Sequence, residues 1–387
     1  MFPSPVLVVY GNTRPPLEPF DRPLQTNYTN TMFLKDNTLY GYGQNNYSQL
    51  GLGTTSNVPT FTVCKNGVWK YFLGVHGTLV LGTDLQIYYS GSAVAFPQIG
   101  TNTTTWLNVT QYFSAIGVSV YDIADCYIGQ CIRILTTSGQ YVYCGRNTYG
   151  EIGNGSSGSD ILSLTIHSTL NGIKKLRCSF VGTHFIDSFN NVLFCGQNSY
   201  GEGGVGSTAI ITTPTQSRTG VFEIGATYTT TWYYLLSGQI YWSGNNGSGQ
   251  AGVGSLSPTS STVPIINNSI SFNPVQRFYT QCNTTNANSG SPLYLSNGTI
   301  RHCGRNEYGQ IGNGNTTTPI SSVYTLNLTA LGGIDNINTI SKDWSKILIL
   351  TNSGDLWGAG GATGNGTQLP DGNIVRTTLT KMNGMPF

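Results

Sequence analysis

Cysteine, histidine, asparagine in glycan-acceptor triplets and closely spaced acids are the residue types here whose spacing could carry chemistry. Eight cysteines occur: Cys64, Cys126, Cys131, Cys144, Cys178, Cys195, Cys282 and Cys303. Cys144, Cys195 and Cys303 each open the same Cys-Gly-x-Asn string, and each has a second cysteine upstream, Cys126, Cys178 and Cys282, at separations of 18, 17 and 21. Couples in one recurrent frame predict three disulfides, each within one sheet, with Cys64 and Cys131 as a fourth bridge. About 105 connectivities are open to eight cysteines, and only the frame selects this one. Reduced thiols acting as small apolar fillers are the competing reading. No CxxC or HxxxH spacing is present, so no metal site is expected.

Disulfides imply an oxidising compartment, and a second signal points the same way. Twelve Asn-x-Ser/Thr triplets occur, at Asn27, Asn46, Asn102, Asn108, Asn154, Asn246, Asn267, Asn283, Asn297, Asn315, Asn327 and Asn365. Asn154, Asn246, Asn297, Asn315 and Asn365 fall in predicted turns or loops, where acceptors must lie. N-linked glycans and an extracellular or secreted location are the expectation. The N-terminal MFPSPVLVVYGNTR has only a six-residue apolar run, shorter than a signal peptide's, so a secreted chain would have lost its signal before this numbering begins.

Catalytic constellations are thin. The histidines are His76, His167, His184 and His302. His76 and His184 fall at matching places, GVHGTL and VGTHFI, before a strand, which favours a structural role. Asp122 and Asp125 are the one close acid pair of note, and such pairs in a strand segment more often cap turns or face solvent than act as a glycosidase couple. GxSxG, Walker and HExxH motifs are missing. No enzyme activity and no cofactor are expected.

The elements that hold these residues come from a repeat. Fifty glycines and only 9% charged residues, against roughly 25% in ordinary domains, suggest low complexity, yet aromatics reach 11%. One unit recurs: an apolar strand, a tight turn, a second strand and a Gly-rich loop. It reads DNTLYGYGQNNYSQLGLG from Asp36, SGQYVYCGRNTYGEIGNG from Ser138, NNVLFCGQNSYGEGGVG from Asn190, SGQIYWSGNNGSGQAGVG from Ser237 and NGTIRHCGRNEYGQIGNG from Asn297. Degenerate copies start at Thr83 and Ser353. The aligned loop glycines are Gly43, Gly91, Gly145, Gly196, Gly244, Gly304 and Gly360, separated by 48, 54, 51, 48, 60 and 56 residues.

In the five clear copies, position +2 from that glycine is Asn (Asn45, Asn147, Asn198, Asn246, Asn306), and +8 and +10 are Gly. Turn dipeptides supply the positive φ of hairpins, the later glycines allow sharp turns, and the Asn is expected to bond local backbone and hold the loop. Helical periodicity is missing throughout. Sheets of about 50 residues cannot bury their own faces and must stack. Residues 1–387 therefore read as a single all-β domain, a seven-bladed propeller of four-stranded antiparallel blades. Its expected closure is one sheet shared by the N-terminal strand Pro5 to Gly11 and the C-terminal stretch Asn373 to Phe387.

The unit resembles the regulator-of-chromosome-condensation repeat, through YGYGQNNYSQLGLG, YCGRNTYGEIGNG and HCGRNEYGQIGNG. That resemblance spans essentially the whole chain and implies the seven-bladed propeller. It also implies, as an alternative function, nucleotide exchange on a small GTPase, in which members present a charged face and an inserted wedge. The polar stretch Asn283 to Ser291 is the one candidate insertion. A secreted enzyme inhibitor is a further alternative.

Net charge of +2 offers no field for nucleic acid. Apolar stretches such as Pro5 to Tyr10 and Lys346 to Leu350 fall far short of the roughly 18 residues of a membrane span. Twenty-three tyrosines, with clusters at Tyr88-Tyr89 and Trp232-Tyr233-Tyr234, serve either core packing or an interface. The leading expectation is a non-enzymatic extracellular glycoprotein, a coat, wall or filament unit or a recognition module, working through a protein partner or self-association.

Overall fold

A computed structural model of the protein describes residues 23–27, 30–268, 275–278, 293–296, 299–342, 345–361, 369 and 375–382. These residues form seven four-stranded antiparallel sheets, and in each the strands neighbour one another in chain order. The fourth sheet shows the pattern: Ile173–Cys178, Gly182–Asp187, Val192–Gly196 and Ile211–Arg218. First strands of successive sheets lie side by side, as Val68–Leu73 does with Ile123–Ile128 and Ile173–Cys178 with Val221–Ala226. They are the innermost strands of a β-propeller. Second strands such as Gly77–Gly82 and Thr230–Leu235 are buried along their whole length, because both of their faces meet a neighbouring sheet.

Closure differs from the expectation. Arg376–Lys381 is the outer strand of the last sheet, beside Leu356–Gly360, and that sheet already has its four strands from the C-terminal part of the chain. The first sheet likewise has four strands of its own, beginning at Leu24–Thr26. The ends meet by packing: the Thr26 amide donates to Ser341 Oγ at 2.8 Å, and Leu24, Phe33 and Tyr42 share a core with Leu348, Leu350 and Leu356. Pro5 to Gly11 lies outside the described residues. Among the described residues helix enters only as short linkers, such as Thr110–Ser114, which buries Phe113 in the core shared by the second and third sheets. Five residues are too few to show a helical period.

The repeat columns resolve into a stitched loop. In each clear copy the +2 Asn is fully buried and uses both ends of its amide: Asn198 donates to Ser207 O at 2.8 Å and accepts from Gly203 N at 2.8 Å. Asn45, Asn147, Asn246 and Asn306 do the same in their loops. The +8 and +10 glycines reach beyond their own sheet. Gly204, at φ +68°, lies against Tyr233 and Pro264 of the following sheet, where a Cβ would fall 2.5 Å from the Tyr233 hydroxyl. The +10 amides of Gly53, Gly155, Gly206, Gly254 and Gly314 each donate to the outer strand of the next sheet, at 2.8–2.9 Å. Those glycines therefore fasten blade to blade.

The disulfide expectation is corrected. Cys64, Cys126, Cys131, Cys144, Cys195 and Cys303 are free, buried thiols. Register gives the reason: Cys178 and Cys195 both pair with Thr183, one on either side of it. Two strand spacings put them roughly 10 Å apart, beyond the roughly 7 Å a disulfide can span. Cys126 and Cys144 flank the strand Cys131–Thr136 in the same way, opposite Ile134 and Ile132. Cys64 and Cys131 belong to separate cores, and Cys282 lies outside the described residues.

The slot before the loop glycine has another use. Cys195 and Cys303 donate to the loop carbonyls of Glu151 and Gln250 in the preceding sheet, at 3.5 and 3.3 Å, and Ser90 and Ser243 donate to Ser48 and Glu202 from the same slot. In these four sheets it holds a small donor, thiol or hydroxyl. Burial pushes the Cys64, Cys131 and Cys303 thiols up to about 12, so they stay protonated and unreactive.

Candidate protein-interaction face

Antiparallel order places the turns between first and second strands on the same face as the Gly-rich loops. In four of the sheets the residue after the loop glycine ties the two together: Ser92 N donates to His76 O, Arg146 N to Gln130 O, Gln197 N to Val181 O and Asn245 N to Thr229 O, all at 2.7–3.0 Å. Loop shape is further fixed at +6, where a buried side chain accepts the amide of +4. Gln49, Glu151, Glu202, Gln250 and Gln310 accept from residues 47, 149, 200, 248 and 308 at 2.7–3.0 Å. What projects from this face is held on rigid backbone.

Aromatic side chains gather there across the first five sheets. The Tyr47 ring meets His76 edge-on at 4.3 Å, and His76 lies 6.0 Å from Phe180. Phe180 packs with Val75 and Val181, and Tyr149 and Tyr228 lean on that cluster. The Tyr228 hydroxyl donates to Gln197 Oε1 at 3.3 Å. Tyr47 and Tyr200 keep more than a third of their surface open, at 39% and 37%. His76 donates from Nδ1 to Gly129 O at 3.0 Å, and burial, with nearby Arg146, holds its pKa below the ordinary value. It is a neutral ring in an apolar floor.

Arg146 is the unpaired charge of this cluster. Its Nε donates to Thr148 Oγ1 at 2.6 Å, and among the described residues no carboxylate lies within ion-pair distance of it. Glu151 and Glu202 are turned inward to loop amides, and Arg305 is paired with Glu307. Partly exposed tyrosines around one arginine over an apolar floor form the composition that concentrates binding energy at protein interfaces. The composition was visible as an excess of tyrosine, but Arg146 and Phe180 carried no motif. The +6 column is legible in the aligned copies as Gln or Glu at residues 49, 151, 202, 250 and 310.

The other candidate groups are consumed by the fold. His184 sits within the strand Gly182–Asp187, whereas His76 precedes Gly77–Gly82, so the two do not occupy one frame. His184 shares a 3.0 Å bond with Thr231 Oγ1, and burial takes it down to about 3. His302 donates from Nε2 to Ile311 O, and His167 bonds Gly153 O. Asp122 caps Ser119, while Asp125 pairs with Arg177 at 3.6 Å. Arg177 continues to Glu223, which also holds Lys175, both at 3.1 Å. Burial works to raise the Glu223 carboxyl, but these two cations outweigh it and leave it below the ordinary value. Among the described residues, no cluster of three His, Cys, Asp or Glu could hold a metal ion, and no helix is long and apolar enough to cross a membrane.

The acceptor asparagines divide. Asn46, Asn102, Asn108, Asn315 and Asn327 are exposed and Asn154 is half-buried. Asn27, Asn246 and Asn267 are buried with their amides donated to Gly74 O, Ser255 O and Ala251 O, so a glycan has no room at them. Asn283, Asn297, Asn365 and the polar stretch Asn283 to Ser291 lie outside the described residues.

Comparison with solved structures places this architecture. Human WBSCR16 superposes with a TM-score of 0.73 at 16% identity, over 90% of this chain and 94% of that one. Prp20p of Saccharomyces cerevisiae, described together with its binding properties to Gsp1p and histones, gives 0.73 at 14% identity, over 91% and 88%. The fold is the regulator-of-chromosome-condensation propeller. By sequence, 120 residues are 32% identical to the secretion-regulating guanine nucleotide exchange factor of Bos taurus, 30% of this chain and about a quarter of that protein's length. No family model matches. These likenesses overturn the reading as an extracellular coat, wall or filament unit.

Proposed function

We propose that this chain is a seven-bladed, protein-binding propeller that promotes guanine nucleotide exchange on a small GTPase. The observation that carries the reading is the aromatic face around Arg146, held on stitched loops of a fold shared with a protein described for its binding to Gsp1p. The segment similar to a guanine nucleotide exchange factor supports the choice of partner. Exchange needs no bond-making residue. A factor that binds the nucleotide-free GTPase more tightly than the loaded one weakens nucleotide binding by the same factor. Rigid loops carrying Tyr47, Tyr149, Tyr228 and Arg146 suffice for that, and buried histidines and thiols are no obstacle to it.

Release of a fluorescent guanine nucleotide from a panel of loaded small GTPases tests the reading. Stimulation by the intact chain, reduced at least tenfold in Arg146→Ala and Tyr47→Ala with unchanged melting, is the expected result. Unchanged release across the panel would overturn it.

A further inference from the structure

The opposite face, formed by the hairpins between second and third strands, carries an open aromatic ring at the tip of the fourth sheet. Polar or glycine tips close the hairpins at Asp36-Asn37, Ser138-Gly139, Ser237-Gly238 and Ser353-Gly354, and at the tip of the second sheet Leu85 is packed back onto the core. The fourth sheet ends in Ser188-Phe189-Asn190-Asn191, and Phe189 is 78% exposed. That tip is braced. Asp187 Oδ1 accepts the amides of Phe189 and Asn191 at 2.8 Å each, Oδ2 accepts the Asn191 side-chain amide at 2.9 Å, and Asn190 N bonds Asp187 O at 3.1 Å. An aromatic ring presented on a fixed tip loses little further entropy on binding.

The neighbouring sheet adds to it. Val221 N donates to Asn190 O and Leu236 N to Gly220 O, both at 2.9 Å, which brings Phe222 and Leu236 beside the tip. Leu236 is 62% exposed and Phe222 43%. Three large apolar side chains thus open on neighbouring turns of one face, and apolar residues grouped rather than scattered mark interaction surfaces. Cations lie around them, and of these Lys174 and Arg218 have no carboxylate partner among the described residues. Lys174 is exposed with Nζ 3.3 Å from Asn190 Oδ1, Arg218 lies over the Tyr241 ring at 3.7 Å, and Lys175 lies over Phe222 at 4.3 Å. The nearby acids are engaged: Asp187 is bonded to the amides of its own turn and Glu223 is held by Lys175 and Arg177.

We infer that the Phe189, Leu236 and Phe222 patch is a second docking site, for a partner protein segment that carries large apolar side chains between carboxylates. Charge complementarity selects this occupant. A second copy of the chain is disfavoured, because a twofold contact would set Lys174 and Arg218 against cations of the same kind.

Fluorescence polarisation of the full chain with labelled 15-residue peptides tests this, one with Leu and Phe spaced by Asp and Glu, one with Lys and Arg in place of the acids. The acidic peptide should bind, more tightly at low salt. Binding should fall at least tenfold in Phe189→Ser and in Lys174→Glu, and the basic peptide should not bind. Because Phe189 lies mostly in solvent, its replacement should leave melting unchanged. It should also leave nucleotide release unchanged, since the aromatic face is on the other side. No binding of the acidic peptide, equal binding by the variants, or concentration-dependent dimerisation abolished by Phe189→Ser would each overturn the inference.

Discussion

Glu202→Gln is expected to stabilise the protein at neutral and alkaline pH. The Glu202 carboxylate is 3% exposed and accepts the Tyr200 amide at 2.9 Å, and burial lifts its pKa from 4.5 to about 7 against the pull of those loop amides. The sign follows from proton counting. Below pH 4.5 both folded and unfolded states hold the proton, and the group contributes nothing to pH dependence. Between 4.5 and 7 the unfolded chain releases it first, so stability falls as pH rises, and above 7 the penalty levels off. A shift of about 2.5 units at 1.36 kcal/mol each makes that penalty about 3 kcal/mol.

Glutamine removes the charge and keeps the acceptor, as Gln49, Gln250 and Gln310 already do in their loops. The Gln49 and Gln250 Nε2 atoms are buried without partners, and a similar orphan at 202 would cost about 1–2 kcal/mol. The net expectation is a gain of about 1–2 kcal/mol at pH 8 and, where the charge penalty is gone and only the orphan amide remains, a loss of about 1–2 kcal/mol at pH 4. Urea unfolding of both proteins at pH 4, 6 and 8 reads it. Parallel stability curves with the same slope between pH 5 and 8 would refute the placement of a buried carboxylate of raised pKa at 202.

Three further outcomes follow from the loop stitching. Asn198→Ala leaves the Ser207 carbonyl and the Gly203 amide without their partner in a buried loop and should cost about 2–4 kcal/mol by denaturant unfolding. Gly204→Ala should cost clearly more than Gly220→Ala, although both sit at φ +68°, because a Cβ at 204 meets Tyr233 and Pro264 while at 220 it meets open space; the latter should lose only about 1–2 kcal/mol. In thiol labelling, Cys64, Cys126, Cys131, Cys144, Cys195 and Cys303 should resist reagent in the folded protein and react once it is unfolded without reductant. Labelling that requires prior reduction would restore the disulfides.

The four-stranded sheets and their loops were legible in the sequence because every defining residue recurs at a fixed offset. The +2 Asn could be assigned to local backbone on its type alone, and Asn198 does bond it. Contacts that run between sheets were not legible. A cysteine before a loop glycine looks the same whether it faces a second sulfur or a carbonyl of the preceding sheet, and only register shows Cys178 and Cys195 to be two strands apart. The serines at 90 and 243 in the same slot were the available sign that a small donor was wanted. Closure was misjudged for a similar reason, since strand-forming composition in Arg376–Lys381 does not say which sheet receives it. The aromatic face escaped because Tyr47, His76, Phe180 and Arg146 come from four different sheets.

The most direct test of the central claim is co-elution of the chain with small GTPases on size exclusion, with and without bound nucleotide. The account predicts a complex with the nucleotide-free form of at least one GTPase that dissociates when GDP or GTP is added, and that is lost in Arg146→Ala. Failure to bind any nucleotide-free GTPase, or equal binding to free and loaded forms, would contradict it.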